Sequence, residues 1–170
     1  MQGTHSKLAR VTHWVFVILY VYGIYKQLDD VEQLEDRALL EYEVLFASLF
    51  LLIVLARYCY MRRYETFLGA REPVSLLHKR IARAVHGSMY LCLALLPLSG
   101  LLIAGLFVMG IKEGLMQDFA IASHEFFASL SYLLIAGHVA AALLSRVRGE
   151  GVWSSMVPVW KEEEAGGGDG

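Results

Sequence analysis

Six histidines carry most of the chemistry available to this chain: His5, His13, His78, His86, His124 and His138. Four of them, His13, His86, His124 and His138, fall within or at the ends of long apolar runs. An ionisable side chain in hydrocarbon is costly and normally faces a bundle interior with a partner. His124 and His138 lie 14 residues apart on one run. As a helix, 14 residues stop about 40° short of four full turns and rise about 21 Å. One helix therefore points two imidazoles the same way, one near each membrane surface. His138, His13 and His86 fall at one depth, and three inward imidazoles at one level need a common purpose. A haem iron bound by two neutral imidazoles satisfies two of them and fills a bundle with an apolar macrocycle. Zinc sites want three or four closely spaced ligands, often with Cys or a carboxylate, and no such cluster occurs. His5 and His78 lie outside the runs and read as solvated.

The elements that must position these rings are four apolar runs, at about 11–28, 38–60, 84–111 and 119–144. The chain of 170 residues is 56% hydrophobic and only 19% charged, whereas a soluble domain averages about 25% charged. Each run is about as long as the ~20 residues needed to cross a bilayer. The expected fold is all-α, an integral membrane four-helix bundle with haem between the helices. Residues 1–148 form its transmembrane domain. Residues 149–170 follow as a cytoplasmic amphipathic segment (Val152–Trp160) and a disordered tail. Ser75–Arg83 reads as a short interfacial helix before the third span.

Charge sets the expected orientation. Twelve of the fifteen Lys and Arg residues lie in the N-tail, the 57–83 connection and the C-tail; the other three are Lys26, Arg37 and Lys112. Cytoplasmic loops carry the excess of Lys and Arg, so both termini are expected in the cytoplasm. The net charge of −2 excludes a basic nucleic-acid surface. Cys59 and Cys92 form no CxxC pair and read as ordinary apolar-facing thiols. The tyrosines at 20, 22, 25, 58, 60 and 64 read as an interfacial belt. Glu41 and Glu43 read as interfacial charges, and Ser123 as a helix N-cap beside His124.

His13-Trp14, Arg57 at the end of the second run, His86-Gly-Ser-Met-Tyr90, Pro97-Leu-Ser-Gly100, His124-Glu125 and Gly137-His138 occur in this order. The set, spread over residues 5–147, resembles the bacterial cytochrome b561 family. Related are superoxide oxidases and the b-type subunits of membrane hydrogenases and formate dehydrogenases. The resemblance implies a bacterial inner-membrane protein holding haem b and exchanging electrons with quinones or partner proteins. It implies an inner haem ligated by His13 and His138, and an outer one ligated by His124. The family's usual helix-two histidine is missing: none occurs between His13 and His78, and Glu43 stands at the matching distance from Arg57. His124 is left with Met109 or Met116, with no second ligand, or with no haem. His86 stands as a further axial ligand or a hydrogen-bond donor, and Arg57 as a cation for a propionate or, with His86 and Arg83, for a quinone oxygen.

The function expected is electron transfer between a quinone pool and a redox partner through bis-histidine haem. The acidic loop at 29–36 suits a basic partner such as a cytochrome c, or another redox subunit, and repels superoxide. Two alternatives stand beside this: a degenerate member anchoring or assembling a redox complex, and a superoxide:ubiquinone oxidoreductase. The sequence leaves open whether two copies pair as a homodimer.

Overall fold

The computed structural model describes residues 6–26, 31–64, 76–150 and 152–160. Four helices dominate: α1 (Lys7–Tyr25), α2 (Arg37–Tyr64), α3 (Leu76–Val108) and α4 (Leu115–Val147), followed by a short α5 (Val152–Met156). A 3₁₀ turn at Val31–Glu35 precedes α2. No strand occurs among the described residues. All four long helices have the length and apolar composition to cross a membrane. At 1.5 Å per residue the 33 residues of α3 and of α4 reach about 50 Å, so their ends project beyond a hydrocarbon core of about 30 Å.

Local chemistry marks the helix ends. The Ser6 hydroxyl accepts from the Ala9 N–H at 3.1 Å and starts α1. The Asp36 carboxylate accepts from the Ala38 N–H at 2.9 Å ahead of α2. Gly110, at φ 85°, closes α3 with the Ile111 N–H returning to the Leu106 carbonyl at 2.9 Å. The same six-to-one closure ends α4, where Gly149 has φ 69° and the Glu150 N–H donates to the Ser145 carbonyl at 3.1 Å. Both positions need the left-handed backbone that glycine adopts without a Cβ penalty.

Leu76–Arg83 is not a separate interfacial helix. It forms the first two turns of α3, since no Pro or Gly separates Leu76 from Ala84. Nor does Arg57 end α2, which runs on through Tyr64 because residues 58–64 contain no helix breaker. Pro97 sits inside α3. Its ring deprives the Leu93 carbonyl of a helical donor, and membrane helices tolerate this inside a bundle.

The core lies mid-bundle, where Phe16, Tyr20, Phe50, Val54 and Leu93 pack together. The Phe16 and Phe50 rings are 5.1 Å apart. Tyr20 belongs to this core and not to an interfacial belt: its hydroxyl is 2.6 Å from the Ser131 hydroxyl, joining α1 to α4. Outward positions are apolar, with Ile18 65% and Leu133 71% exposed, as lipid-facing positions are. At the end carrying the chain termini, α5 folds back. The Trp14 indole donates to the Met156 carbonyl at 3.1 Å, and the Arg146 guanidinium lies 3.9 Å over the Trp160 ring.

Candidate functional site

At the terminal end of the bundle, four of the sequence-derived residues converge. Arg57 on α2 turns across to α1. Its Nη1 donates to the Ala9 carbonyl at 3.1 Å and to the Thr12 hydroxyl at 3.2 Å. Its Nη2 lies 3.3 Å from His13 Nδ1. Arg57 is also hydrogen-bonded to Tyr90 of α3, whose ring packs edge-on against Tyr58 at 5.3 Å. On the far side, the His86 and His138 rings meet at 5.2 Å and 82°. Arg57 also lies near His138. The cluster thus draws one residue or more from each long helix.

Two features give this cluster its chemical character. Among the described residues Arg57 has no carboxylate partner, so a guanidinium enters an apolar bundle with its donors engaged and its charge uncompensated. Such a cation stabilises an anionic group placed beside it. His86 Nδ1 is 2.7 Å from the Ala82 carbonyl, and a carbonyl only accepts, so Nδ1 carries the proton and Nε2 is the acceptor. His138 makes no hydrogen bond among the described residues. Sequence reading singled out Tyr90 and missed Thr12, whose hydroxyl links Arg57 to the Leu8 carbonyl at 2.9 Å. One polar residue beside His13 on an apolar helix was its only sign.

His124 lies at the other end and takes no part in this cluster. It is ten residues into α4, not in its first turn, because α4 starts at Leu115 behind Gly114. Ser123 is correspondingly no N-cap: its hydroxyl donates to the Phe119 carbonyl at 2.7 Å, one turn back. His124 Nδ1 is 3.0 Å from the Leu96 carbonyl and 3.1 Å from the Ser99 hydroxyl. The Ser99 hydroxyl itself donates to Leu96 at 2.8 Å. The ring packs on Gly100, where an added Cβ would stand 3.3 Å from Cε1. Together these contacts fix Nδ1–H and leave Nε2 as an acceptor.

His124 borders a cavity of about 280 Å³ between the four helices, with Glu43 of α2 also in its wall. Met109 and Met116, expected as partners for His124, are not in that wall and are 67% and 61% exposed. Both sit on the outward side of the α3–α4 connection. Arg83 is exposed. His78 belongs to the first turn of α3, and His5, Asp29 and Asp30 lie outside the described residues. No group of three or more His, Cys, Asp or Glu capable of holding a metal ion by itself occurs among the described residues.

The family model for prokaryotic cytochrome b561 matches residues 4–159. The chain belongs to the prokaryotic cytochrome b561 family. It is thus a multi-pass membrane cytochrome of the b type, a class whose work is electron transfer. Neither the curated proteins nor the solved structures supply a significant match. Cytochromes b561 bind haem b, and the two ends of this bundle differ in how they suit it. The terminal end offers imidazoles from three helices and an uncompensated guanidinium, a donor set that fits an iron porphyrin with anionic propionates. The opposite end offers one imidazole, His124, with the carboxylates Glu43 and Glu125 in the wall of the same cavity. That set does not fit bis-histidine ligation.

Proposed function

We propose that this cytochrome b561 carries electrons between a quinone pool and a redox partner through a haem b held at the terminal end of the bundle. His13 and His138 would hold the haem iron, with His86 beside His138. The observation that carries this reading is Arg57, a guanidinium with no carboxylate partner among the described residues, 3.3 Å from His13 Nδ1. A bound haem b would supply a one-electron couple.

The chain's own residues orient and tune the site. The Arg57 contact at His13 Nδ1 makes that nitrogen an acceptor, so the neutral ring carries its proton on Nε2. Ligation through Nε2 requires the other tautomer. Binding is therefore coupled to Arg57 leaving Nδ1, which frees the guanidinium for a propionate. Tyr90 and Thr12 hold Arg57 in reach meanwhile. The partner class is a basic redox protein such as a cytochrome c, or another redox subunit, in keeping with the acidic turn Glu32–Asp36. The location is the bacterial inner membrane, with both termini cytoplasmic by the distribution of Lys and Arg.

The test is spectroscopic. The purified protein, reduced anaerobically with dithionite, should show a b-type α band that a ubiquinone analogue bleaches. A reduced haem that no quinone reoxidises would exclude the quinone-linked reading.

A further inference from the structure

The chain has three tryptophans, and all of them lie at the terminal end of the bundle. The Trp153 and Trp160 rings are 6.0 Å apart, and the Trp153 indole donates to the Val159 carbonyl at 3.2 Å. Residues 152–160 thus fold back compactly, tied to α1 through Trp14 and to α4 through Arg146. Trp14 and Trp160 are 37% and 69% exposed. Exposed indoles at the end of a span mark the level of the lipid headgroups. An arginine stands on each side of this fold-back. Arg10 is one turn before Trp14 on α1, and Arg146 lies in the last turn of α4. Both are half-buried, and the Nε of each is buried with no hydrogen-bond partner among the described residues. A guanidinium N–H only donates, and a buried donor left unpaired costs free energy. Two unspent donors that carry fixed positive charge call for anionic oxygen.

Each arginine also heads an apolar stripe. On α1, Trp14, Ile18 and Val21 fall within about 80° of Arg10 at 100° per residue, and Ile18 and Val21 are 65% and 57% exposed. On α4, Leu143 and Val139 fall within about 60° of Arg146 and are 39% and 46% exposed. A cation at headgroup level that continues into an exposed apolar stripe matches a molecule with a phosphate at one end and acyl chains at the other. A free phosphate would leave the stripes uncovered. We propose that Arg10 and Arg146 each hold a phosphate oxygen of an anionic phospholipid, whose acyl chains lie along these two stripes. The planar fork of arginine suits phosphate oxygens, and basic pockets beside membrane spans bind such headgroups. The Trp160 ring, 3.9 Å from the Arg146 guanidinium, holds that cation at the rim of the bundle. The lipid site is separate from the haem site, whose guanidinium is Arg57.

Because every tryptophan lies at this end, intrinsic fluorescence reads the site alone. The full-length protein is reconstituted in phosphatidylcholine bilayers, and quenching by dibrominated phosphatidylglycerol is compared with quenching by dibrominated phosphatidylcholine. The two curves give a relative affinity, expected to favour phosphatidylglycerol by at least tenfold. Arg10→Gln and Arg146→Gln should each lower that preference about fivefold, the scale of one cation beside an anionic headgroup. The double variant should bring it close to one, with helical content and haem content as in the wild type. Inorganic phosphate should displace no more lipid than sodium chloride at the same ionic strength. Four results would overturn the assignment. The wild type shows no preference between the two lipids, or the double variant keeps the full preference. Inorganic phosphate displaces the lipid beyond the chloride control, which makes this a site for a free anion. Arg10→Gln loses haem, which places that arginine at the haem instead.

Discussion

Arg57 is costly to place where it is. A guanidinium in an apolar bundle must have its five donors occupied and its charge answered. The structure gives the guanidinium four partners, the Ala9 carbonyl, the Thr12 hydroxyl, His13 and Tyr90. A haem propionate would meet the second. Arg57→Ala should then lower the haem midpoint potential, because a nearby positive charge favours the reduced form. At an effective dielectric near 20 the expected loss is about 1 kcal/mol, roughly 40 mV for one electron, and a potentiometric titration reads it directly. An unchanged potential would place Arg57 among purely structural residues. At His124 the close approach of Gly100 offers a second test. Gly100→Ala would place a Cβ 3.3 Å from Cε1, so the ring must shift off Leu96. Thermal unfolding in detergent should be lowered by no more than about 1 kcal/mol, with haem content as in the wild type. The histidines themselves were legible in the sequence. Their tautomers were not, because these depend on carbonyls such as Ala82 and Leu96 that only the folded helices bring within reach.

Helix existence followed from apolar run length, and helix ends did not. The spans projected from 84 and 119 begin instead at Leu76 and Leu115. Polar residues such as His78, Lys79, Gln117 and Asp118 continue a helix readily once it projects beyond the hydrocarbon, so hydrophobicity alone cannot mark the end. What does mark it is glycine at Gly110, Gly114 and Gly149, all with positive φ. Between elements, the Tyr20–Ser131 hydrogen bond is the buried link from α1 to α4. Tyr20→Phe and Ser131→Ala should each cost about 1 kcal/mol. The double variant should cost little more than either alone, which thermal or denaturant unfolding in detergent would show. The fold-back of α5 depends on Trp14, Trp153 and Trp160. Trp160→Ala removes the Arg146 cation–π contact, worth about 0.5–1 kcal/mol, and should speed tryptic cleavage after Arg148 with no loss of haem. By contrast the Glu35–Lys112 pair, 2.8 Å apart, lies at the exposed surface. Lys112 holds the Glu35 carboxyl below the usual carboxylate range. Its contribution is present above the unfolded-state value and vanishes as pH falls through the lower folded one. Lys112→Ala removes this pair and the contact over the Phe107 ring, and should lower the melting temperature at neutral pH only slightly, as an exposed pair is worth little.

Across the whole molecule, four apolar helices, an ordered set of histidines and one-sided cations make a membrane cytochrome legible in the sequence. The asymmetry between the two ends was only half readable. The missing helix-two histidine was plain, but the cavity joining Glu43 to His124 depends on packing that no run of residues displays. The orientation proposed from the cations predicts that fusions of alkaline phosphatase to either terminus are inactive and that a fusion in the 31–36 turn is active. The account as a whole turns on where the haem sits. Haem content by pyridine haemochrome, measured on the purified wild type and on His138→Ala and His124→Ala, tests this most directly. One haem per chain is predicted, lost in His138→Ala and retained in His124→Ala. A colourless wild type, or a haem that survives His138→Ala and disappears with His124→Ala, would contradict it.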